Sequence, residues 1–489
     1  MQVHTPDWVK NAVFYQIFPD RFARSPRMKH VPGIQFKSWG SPPEEQGYQG
    51  GDLYGIVDKL DYLQDLGITA IYLNPIFTAA SNHRYNTYDF MEVDPLLGGK
   101  PALRELLDEA HKRGIKIVLD GVFNHCGRGF WAFHHIMENG GLSPYIDWFT
   151  IDEFPLHAYP DSARQKANYA TWWGNHSLPK FNTNNPGVRA YIFEVARYWL
   201  EFGIDGWRLD VPEEIDDDDF WREFRWIVKG INPQACIVGE IWHEARRWLQ
   251  GDMFDAVMNY QITGPIISFF GSASLNMSWK HSDVVIEHID APQFVALMND
   301  VYALYDWDIT LTQMNMLDSH DMPRALWLMC NDKQAYRQAV LCELTLPGAP
   351  NIYYGDEIGL SAGGDPSCRQ AFPWEQTEVW DHSLRQDFQA AIALRHALPS
   401  LRIGDFDFVL VQESLIVYRR RYQGQEVLVA FNAGQLDAQI SIAAQYLGQQ
   451  VYQHVWQPGG AGQVQVDGDS LVFELSAQQT AILVAGDAR

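Results

Sequence analysis

The sequence has 489 residues, of which 46% are hydrophobic and 20% charged, a composition typical of globular rather than disordered proteins. This length accommodates a barrel-sized domain of roughly 250 residues together with one or two smaller domains. The 61 acidic residues outnumber the 37 lysines and arginines and give a formal net charge of −24. Because phosphate binding requires a basic surface, nucleic acid is a poor candidate partner.

Aromatic residues make up 13% of the chain and include 18 tryptophans. A large core explains most of them. Sugar rings also pack their C–H faces on aromatic rings, so the excess is a weak indication of a carbohydrate ligand that needs other support.

The five cysteines are widely spaced and form no Cys-x-x-Cys pattern, which argues against a zinc site or a disulfide framework. The first ten residues contain no apolar signal core, and no run of about 18 apolar residues follows. These features predict reduced thiols, a cytoplasmic location and no membrane partner.

One junction recurs along the chain: a helix-like run, a glycine and the start of an apolar strand. It is found at Leu66-Gly67-Ile68, Arg113-Gly114-Ile115 and Phe202-Gly203-Ile204. Glycine is a usual residue at a helix end, so the repeat predicts alternating helices and strands. Eight such strands make an α/β fold of the (β/α)8 TIM barrel type. We predict the strands at residues 12–18, 68–74, 115–122, 203–210, 235–240, 256–259, 311–317 and 351–354.

Two segments depart from this alternation. Over sixty residues rich in aromatics, Gly, Asn and Pro separate the third strand from a helix beginning near Val188. They are too many for a simple loop and predict a small inserted domain. After about Ala397 the pattern changes to period two, with a turn at Gln423-Gly424, which predicts an all-β sandwich domain. The predicted domains are the barrel (1–125 and 187–396), the insertion (126–186) and the β-sandwich (397–489).

The fourth predicted strand, Gly203-Ile-Asp-Gly-Trp-Arg-Leu-Asp-Val-Pro212, places an arginine and a carboxylate on one face. Side chains alternate along a strand, so Arg208 and Asp210 point the same way. A structural ion pair is the simpler explanation of any single Arg-x-Asp pair. The ends of the other strands must therefore decide whether this pair is functional.

Three other strands end in similar residues at the predicted barrel mouth, where such folds place their chemistry. Isolated buried charges cost several kcal/mol, so a convergence of carboxylates is hard to explain as structure alone. The residues that converge with Arg208 and Asp210 are Asp120 and His125 after the third strand, Glu240 after the fifth, and His320 and Asp321 after the seventh.

These residues suit the cleavage of a glycosidic bond with retention of configuration, which needs a nucleophilic carboxylate and a second, protonated one. Arg208 would keep Asp210 ionised as the nucleophile. Glu240 ends an apolar strand near Trp242, an environment that raises a carboxyl pKa and suits a general acid/base. Asp321 would hold sugar hydroxyls and help to distort the ring.

The segments 120–125, 206–210, 239–240 and 320–321 resemble the conserved segments of the α-amylase family, glycoside hydrolase family 13. The resemblance runs through nearly the whole chain. It implies that Asp210 is the nucleophile, Glu240 the acid/base and Asp321 the stabiliser of the transition state. It also implies sugar contacts before the cleaved bond from Arg208, His125 and His320, with Tyr85 stacking on the sugar.

Further stretches resemble the neopullulanase, cyclomaltodextrinase and maltogenic amylase subfamily. They are Ser81-Asn-His-Arg-Tyr-Asn-Thr-Tyr88, Leu178-Pro-Lys-Phe-Asn182, Glu240-Ile-Trp-His243 and Tyr354-Gly-Asp-Glu-Ile-Gly359. The resemblance implies that Trp242 is a platform for the sugar after the cut, and that Asp365 and Arg369 bound the far end of the site. A loop-stabilising ion pair is an equally good explanation of Asp365 and Arg369.

Two departures from these relatives bear on function. The relatives usually carry an extra amino-terminal β-domain that helps to form a dimer, whereas here the first barrel strand begins almost at once. We therefore expect a more open cleft, no dimer of that kind and an undetermined oligomeric state.

Many relatives also have Val-Ala-Asn-Glu after the nucleophile, where this chain has Val211-Pro-Glu-Glu214. This segment lies near the leaving-group side, which leaves the preference between α-1,4 and α-1,6 bonds open.

No metal or other cofactor is expected to be required. Many family members bind structural calcium through the counterpart of Asn124, but the family's histidine ligand after the nucleophile is replaced here by Glu214. The four acidic residues 216–219 precede a helix and complement its dipole more simply than they form a metal site.

The predicted function is hydrolysis of α-glucosidic bonds in maltodextrins and branched α-glucans, including α-1,6 branch points, by a debranching or neopullulanase-like enzyme. The alternative is a cyclomaltodextrinase or maltogenic amylase that acts mainly on α-1,4 bonds, or a transglycosylase. A non-catalytic scaffold relative is the weakest interpretation, because such proteins lose the carboxylates that this chain keeps.

Overall fold

The computed structural model describes residues 3–30, 32–456 and 463–485. Its first part alternates strands with helices. The strands of this part are β1 (Phe14–Ile17), β2 (Ala70–Leu73), β3 (Phe77–Ala79), β4 (Thr87–Val93), β5 (Lys116–Gly121), β6 (Gly206–Leu209), β7 (Cys236–Gly239), β8 (Ala256–Asn259), β9 (Met314–Asn315) and β10 (Ala349–Tyr353).

All of these strands except the β3–β4 hairpin form a closed parallel barrel in the order β1-β10-β9-β8-β7-β6-β5-β2. The predicted (β/α)8 barrel is therefore confirmed, although most strands are shorter than predicted. The seventh, predicted over 311–317, covers only Met314–Asn315. The register aligns Asp120 with Arg208 and Arg208 with Val238. This alignment brings the carboxyl ends of β5, β6 and β7 to one rim.

The helix that precedes β6 begins and ends at residues with clear chemical reasons. Asn185 caps this helix by accepting from the backbone N–H groups of Gly187 and Val188, and Gly203 ends it with φ 113°. The longer helices are α5 (Gly99–Lys112), α6 (Trp131–Asn139), α7 (Pro186–Phe202), α8 (Asp218–Ile231), α9 (Tyr260–Phe270), α10 (Ala291–Tyr302), α13 (Lys333–Thr345) and α14 (His382–Ala397). The shorter ones are α1 (Asp7–Lys10), α2 (Pro19–Phe22), α3 (Leu53–Val57), α4 (Leu60–Leu66), α11 (Trp307–Thr310), α12 (Ala325–Leu328) and α15 (Pro399–Ile403).

The acidic run at 216–219 surrounds the start of α8. Asp217 accepts a hydrogen bond from the backbone N–H of Phe220, and Asp218 and Asp219 lie in the first helical turn. The structure thus agrees with the dipole interpretation of these four residues. None of the helices in the described ranges combines the length and the apolar character needed to cross a bilayer.

Residues between β5 and α7 form α6, several single helical turns and isolated β-bridges rather than a regular repeat. One bridge pairs His125 with Lys180, and another pairs Thr171 with Pro179. This segment therefore returns to the barrel rim beside β5. The three domain boundaries given by the sequence stay predictions.

The C-terminal part is an eight-stranded antiparallel sheet within the described residues. At the predicted turn, Gln423 and Gly424 both have positive φ, as a two-residue hairpin connection requires. Strands that lie near opposite ends of this sheet contribute side chains to one apolar cluster, which includes Val417, Leu428 and Ile440. The strands are β11 (Asp405–Gln412), β12 (Leu415–Tyr422), β13 (Gln425–Asn432), β14 (Ala438–Ala443), β15 (Val451–Trp456), β16 (Gln463–Asp467), β17 (Ser470–Leu475) and β18 (Gln479–Ala485).

Two fully buried arginines join this sheet to the barrel by donating to backbone carbonyls. Arg420 on β12 donates to the carbonyls of Thr345 and Leu401, at 2.7 and 2.9 Å. Arg395 on α14 donates to the carbonyls of Leu344 and Leu401, at 2.9 and 3.1 Å. These carbonyls belong to the last turn of α13 and to the short helix α15, where helix termini leave acceptors unsatisfied. The arginines therefore replace the missing helical donors at the junction.

We expect Arg420→Met to lower the melting temperature by several degrees. Each lost hydrogen bond leaves a buried carbonyl without a donor, which costs about 1–3 kcal/mol of stability. The neighbouring Arg421→Met is the matched control, because Arg421 is half-exposed and pairs with Asp405 at the surface. Thermal unfolding monitored by circular dichroism compares the two. Equal melting temperatures for both variants would contradict a structural role of Arg420.

Candidate active site

The carboxyl ends of the barrel strands surround a cavity of about 690 Å³. Arg208 and His320 are fully buried and contact residues that line the cavity. The structure thus brings all the predicted site residues together. Those that line the cavity are Tyr85, His125, Asp210, Glu240, Trp242, Asp321, Asp365 and Arg369.

Arg208 lies at the centre of a buried group of charges. Its guanidinium nitrogens are 2.8 Å from Asp120, 3.0 Å from Asp210 and 2.9 Å from Glu240. Asp120 is its partner in the strand register, and Asp210 follows two residues later on the same face. The pair noticed in the sequence is therefore real, but it is one of three carboxylate contacts made by a single cation.

One guanidinium cannot neutralise three carboxylates, and the pKa values of the site reflect this. Burial first, and then repulsion from Glu240, raise the pKa of Asp210 well above its usual value, and Arg208 only partly opposes them. Burial also raises the pKa of Glu240. Arg208 thus lowers the pKa of Asp210, as the sequence led us to expect, but burial and Glu240 outweigh it. That Asp210 acts as an ionised nucleophile stays a prediction.

Glu240 is fixed by hydrogen bonds to both of its carboxyl oxygens. The backbone N–H of Val211 donates to Oε2 at 3.0 Å, and Trp242 Nε1 donates to Oε1 at 3.2 Å. Val211 has φ 37°, a left-handed conformation that is strained for a β-branched residue. Such strain, of order 1–3 kcal/mol, is typical of functional sites. Here the strained backbone presents its N–H to the carboxylate.

Asp321 belongs to a second charged group on the other side of the cavity. Its carboxylate is 3.0 Å from His320 Nε2 and 3.0 Å from Arg369, which also pairs with Asp365 at 2.9 Å. Burial alone would raise the pKa of Asp321, but His320 and Arg369 outweigh it and lower the pKa. Asp365 and Arg369 therefore form the ion pair that the sequence allowed, and both also line the cavity.

His320 is held in one tautomer by its neighbours. Gln16 Nε2 donates to Nδ1 at 2.8 Å, so the proton is on Nε2, which lies 2.6 Å from the Tyr85 hydroxyl. That hydroxyl donates in turn to Asp120 at 2.9 Å, and the Tyr85 ring stacks on the His320 ring at 5.5 Å. Burial lowers the pKa of His320 to about 3, so the ring is neutral.

An aromatic row leads from His125 out of the site. His125 stacks on Trp172 at 5.5 Å, and Trp172 stacks on Trp173 at 5.2 Å. Trp173 is 82% exposed and has φ 49°, whereas His125 is buried and its Nε2 finds no partner among the described residues. The sequence did not identify the two tryptophans, since they lie in an irregular segment without a strand end.

The segment after Asp210 contributes two ion pairs to the rim. Glu213 lies 2.5 Å from His243, and Glu214 lies 2.8 Å from Lys180. Burial would lower the pKa of His243, but the bond to Glu213 outweighs it and raises the pKa. The unusual Pro212-Glu-Glu sequence had drawn attention to this part of the rim. It did not indicate that His243 and Lys180 are the partners of the two glutamates.

In the region where the resemblance places a structural calcium, Glu214 stands in place of the family's histidine ligand. Glu214 is paired with the ammonium group of Lys180, whose backbone also bridges to His125. A cation placed beside Glu214 would face that ammonium group. Across the described ranges, no cluster of three or more His, Cys, Asp and Glu side chains is arranged to hold a metal ion.

Comparisons with known proteins agree on one family. A family model described as the alpha amylase catalytic domain matches residues 16–391. Neopullulanase 2 of Thermoactinomyces vulgaris is 43% identical over 88% of this chain and 70% of its own length. A cyclomaltodextrinase of Geobacillus thermopakistaniensis is also 43% identical, over 89% and 71%. The crystal structure of a debranching enzyme from Nostoc punctiforme superposes with a TM-score of 0.90 at 45% identity and covers 99% of this chain and 100% of that chain.

We expect Arg208→Met to destabilise the protein by about 3–5 kcal/mol at neutral pH, because removal of a buried cation leaves its carboxylates unpaired. Without the arginine, the carboxyl pKa values in the folded state rise further above their unfolded values near 4. The folded state then binds more protons than the unfolded state, so stability falls as pH rises above about 4.

Melting temperatures measured between pH 5 and pH 8 check this prediction. The difference between wild type and Arg208→Met should widen as pH increases. Arg222→Met is the control, because Arg222 forms exposed pairs with Asp219 and Asp252 and its loss should cost little at any of these pH values. A difference for Arg208→Met that does not change with pH would rule out the charge network as its cause.

Proposed function

This chain belongs to the α-amylase family of glycoside hydrolases, and we propose that it hydrolyses α-glucosidic bonds in maltodextrins and branched α-glucans, including α-1,6 branch points. The observation that carries the proposal is the buried contact of Arg208 with Asp210 and Glu240 at the edge of the cavity. Burial raises the pKa values of both carboxyl groups, which is the direction that a general acid requires.

In the proposed first step, Asp210 attacks the anomeric carbon while Glu240 gives its proton to the departing glycosidic oxygen. The bond from carbon to that oxygen breaks, and a covalent glycosyl-enzyme forms. In the second step, Glu240 takes a proton from water, whose oxygen displaces Asp210 from the anomeric carbon. The product keeps the α configuration because the carbon is inverted twice.

Arg208 supports both carboxylates through this cycle. As Asp210 becomes an ester it loses its charge, and the arginine remains beside the newly ionised Glu240. Trp242 and the Val211 N–H already point at Glu240 and stabilise its anionic form. We propose that Asp321, held by Arg369, binds the hydroxyls of the reacting sugar and stabilises the transition state.

The remaining predicted residues are proposed to bind the sugar before the cleaved bond. Tyr85 offers a ring, and the neutral His320 holds that ring by stacking and by its Nε2 contact with the Tyr85 hydroxyl. The buried His125 Nε2, which lacks a protein partner in the described part of the chain, suits a sugar hydroxyl. Asp365 and Arg369 bound the far end, and Trp242 provides the platform for the leaving-group sugar.

Debranching is the favoured specificity because the Nostoc punctiforme debranching enzyme matches this chain along almost the whole length of both proteins. The second candidate is an enzyme that acts mainly on α-1,4 bonds. It is supported by the cyclomaltodextrinase, whose identity equals that of the neopullulanase. The residues that decide between them are proposed to be Glu213 and His243, which pair beyond Glu240 on the leaving-group side.

We further propose a cytoplasmic location and a glucan as the only macromolecular partner needed for activity. The five cysteines are free, as is usual for a reducing compartment. The net charge of −24 makes nucleic acid an unsuitable partner. No metal is needed for the steps above, and the oligomeric state is left open.

We expect Glu240→Gln to lower kcat on maltotriose by about 10² to 10⁴, the usual contribution of a general acid/base. The first step on α-maltosyl fluoride should survive, because fluoride leaves without a proton. Asp210→Asn should lose activity on both substrates, since the nucleophile itself is removed. Asp216→Asn is the control, because Asp216 is an exposed carboxylate near the start of α8. Full activity of Asp210→Asn would refute the assignment.

Product analysis decides between the two specificities. A debranching enzyme releases linear chains from amylopectin faster than it shortens the chains of amylose, which we expect for this protein. Rapid opening of cyclodextrins with slow release from amylopectin would instead favour the second candidate. Chromatography of the products over time measures both rates in parallel.

A further inference from the structure

The platform proposed for the leaving-group sugar, Trp242, is covered on both faces. The Tyr260 ring lies 3.8 Å from the indole at an angle of 11°, and the His281 ring lies 4.3 Å away at 30°. Two rings so close to one indole cannot share a face without overlapping. Tyr260 and His281 therefore occupy opposite faces, and no face of Trp242 is left free for a sugar.

The two rings differ in how firmly they are placed. Tyr260 is buried at the start of α9 and cannot leave without disturbing the barrel. His281 lies on the segment 271–290, which contains neither helix nor strand and joins α9 to α10. Its side chain is 32% exposed. Only the His281 face of Trp242 can therefore open at low cost.

His281 is nevertheless held in its present position by several contacts. It stacks on Trp279 at 5.8 Å and 10°, and the backbone N–H of Asp283 donates to its Nδ1 at 3.2 Å. Trp242 itself is oriented by its bond to Glu240. Trp279, His281 and Asp283 all line the same cavity as the catalytic carboxylates.

We propose that His281 occupies the place of the leaving-group sugar on Trp242 and competes with it, so that His281 determines how strongly the enzyme binds sugars beyond the cleaved bond. A pyranose ring and an imidazole are both flat enough to stack on an indole, and only one of them fits on this face. This inference rests on the proposed function, in which Trp242 is the platform.

The competition has consequences for hydrolysis and for transfer. A substrate that extends past the cleaved bond must displace His281 before it can stack, which weakens its binding. An acceptor sugar that would intercept the glycosyl-enzyme must also displace His281, whereas water need not. His281 therefore favours hydrolysis over transglycosylation.

Two substitutions of His281 distinguish a ring that competes with the sugar from a side chain that binds the sugar. His281→Ala removes the ring, and His281→Phe keeps an aromatic ring but loses its hydrogen-bonding nitrogens. His288→Ala is the control for disturbance of the segment, because His288 is exposed and bonds to the carbonyl of Ser272 outside the cavity. Each variant is assayed as the full chain.

The measurements are KM for maltotriose, the ratio of transfer to hydrolysis with maltose as acceptor, and the rate on α-maltosyl fluoride. An aromatic stack is worth enough to change an equilibrium about threefold to tenfold. We expect His281→Ala to lower KM and to raise the transfer ratio by that factor, while His281→Phe and His288→Ala stay near the wild type. The fluoride rate of wild type and variants should agree, since fluoride needs no platform, and it also shows that each variant is folded.

Other outcomes overturn the inference in distinguishable ways. If Ala and Phe both raise KM, then His281 is a ligand of the sugar and not its competitor. If His281→Ala matches the wild type on maltotriose and in transfer, Trp242 is not blocked. If the wild type itself hydrolyses neither maltotriose nor α-maltosyl fluoride, the proposed function is wrong and this inference fails with it.

Discussion

The buried guanidinium of Arg208 is the constraint on which the site depends. It contacts Asp120, Asp210 and Glu240, which come from three neighbouring strands. Three carboxylates could not be packed together in a barrel interior without a cation, because the cost of burying each charge is several kcal/mol. Burial outweighs this one cation and raises the pKa values of Asp210 and Glu240. The same contact therefore holds the strand ends together and shapes the electrostatics of the proposed nucleophile and acid.

The sequence contained enough information for this arrangement because it depends on short-range patterns. Strand alternation placed Arg208 and Asp210 on one face, and the repeated glycine junction identified the barrel. The cap at Asp217 and the turn at Gln423-Gly424 were also predictable, since backbone geometry dictates those residue types. In each case the cause lies within a few residues of the feature.

The features that escaped prediction depend on contacts between distant segments. The upward shift of the Asp210 pKa arises from burial and then from repulsion by Glu240, and no local pattern reveals either contribution. Trp172, Trp173 and His281 lie in irregular segments, where periodicity gives no orientation. Even Trp242 was correctly placed at the site, but its coverage by a ring 39 residues further along the chain was not foreseeable.

The two sides of the cavity are formed by different kinds of structural element. Strand ends, buried charges and a neutral histidine form the side proposed to bind the sugar before the cleaved bond, so the barrel itself fixes the geometry of that side. Beyond Glu240 the walls are the exposed Glu213–His243 pair and the segment that carries His281. Strand ends tolerate little change, whereas loops vary without loss of the fold. Under the proposed function, the barrel therefore sets the chemistry, and the choice of leaving group depends on loops that can change independently of it.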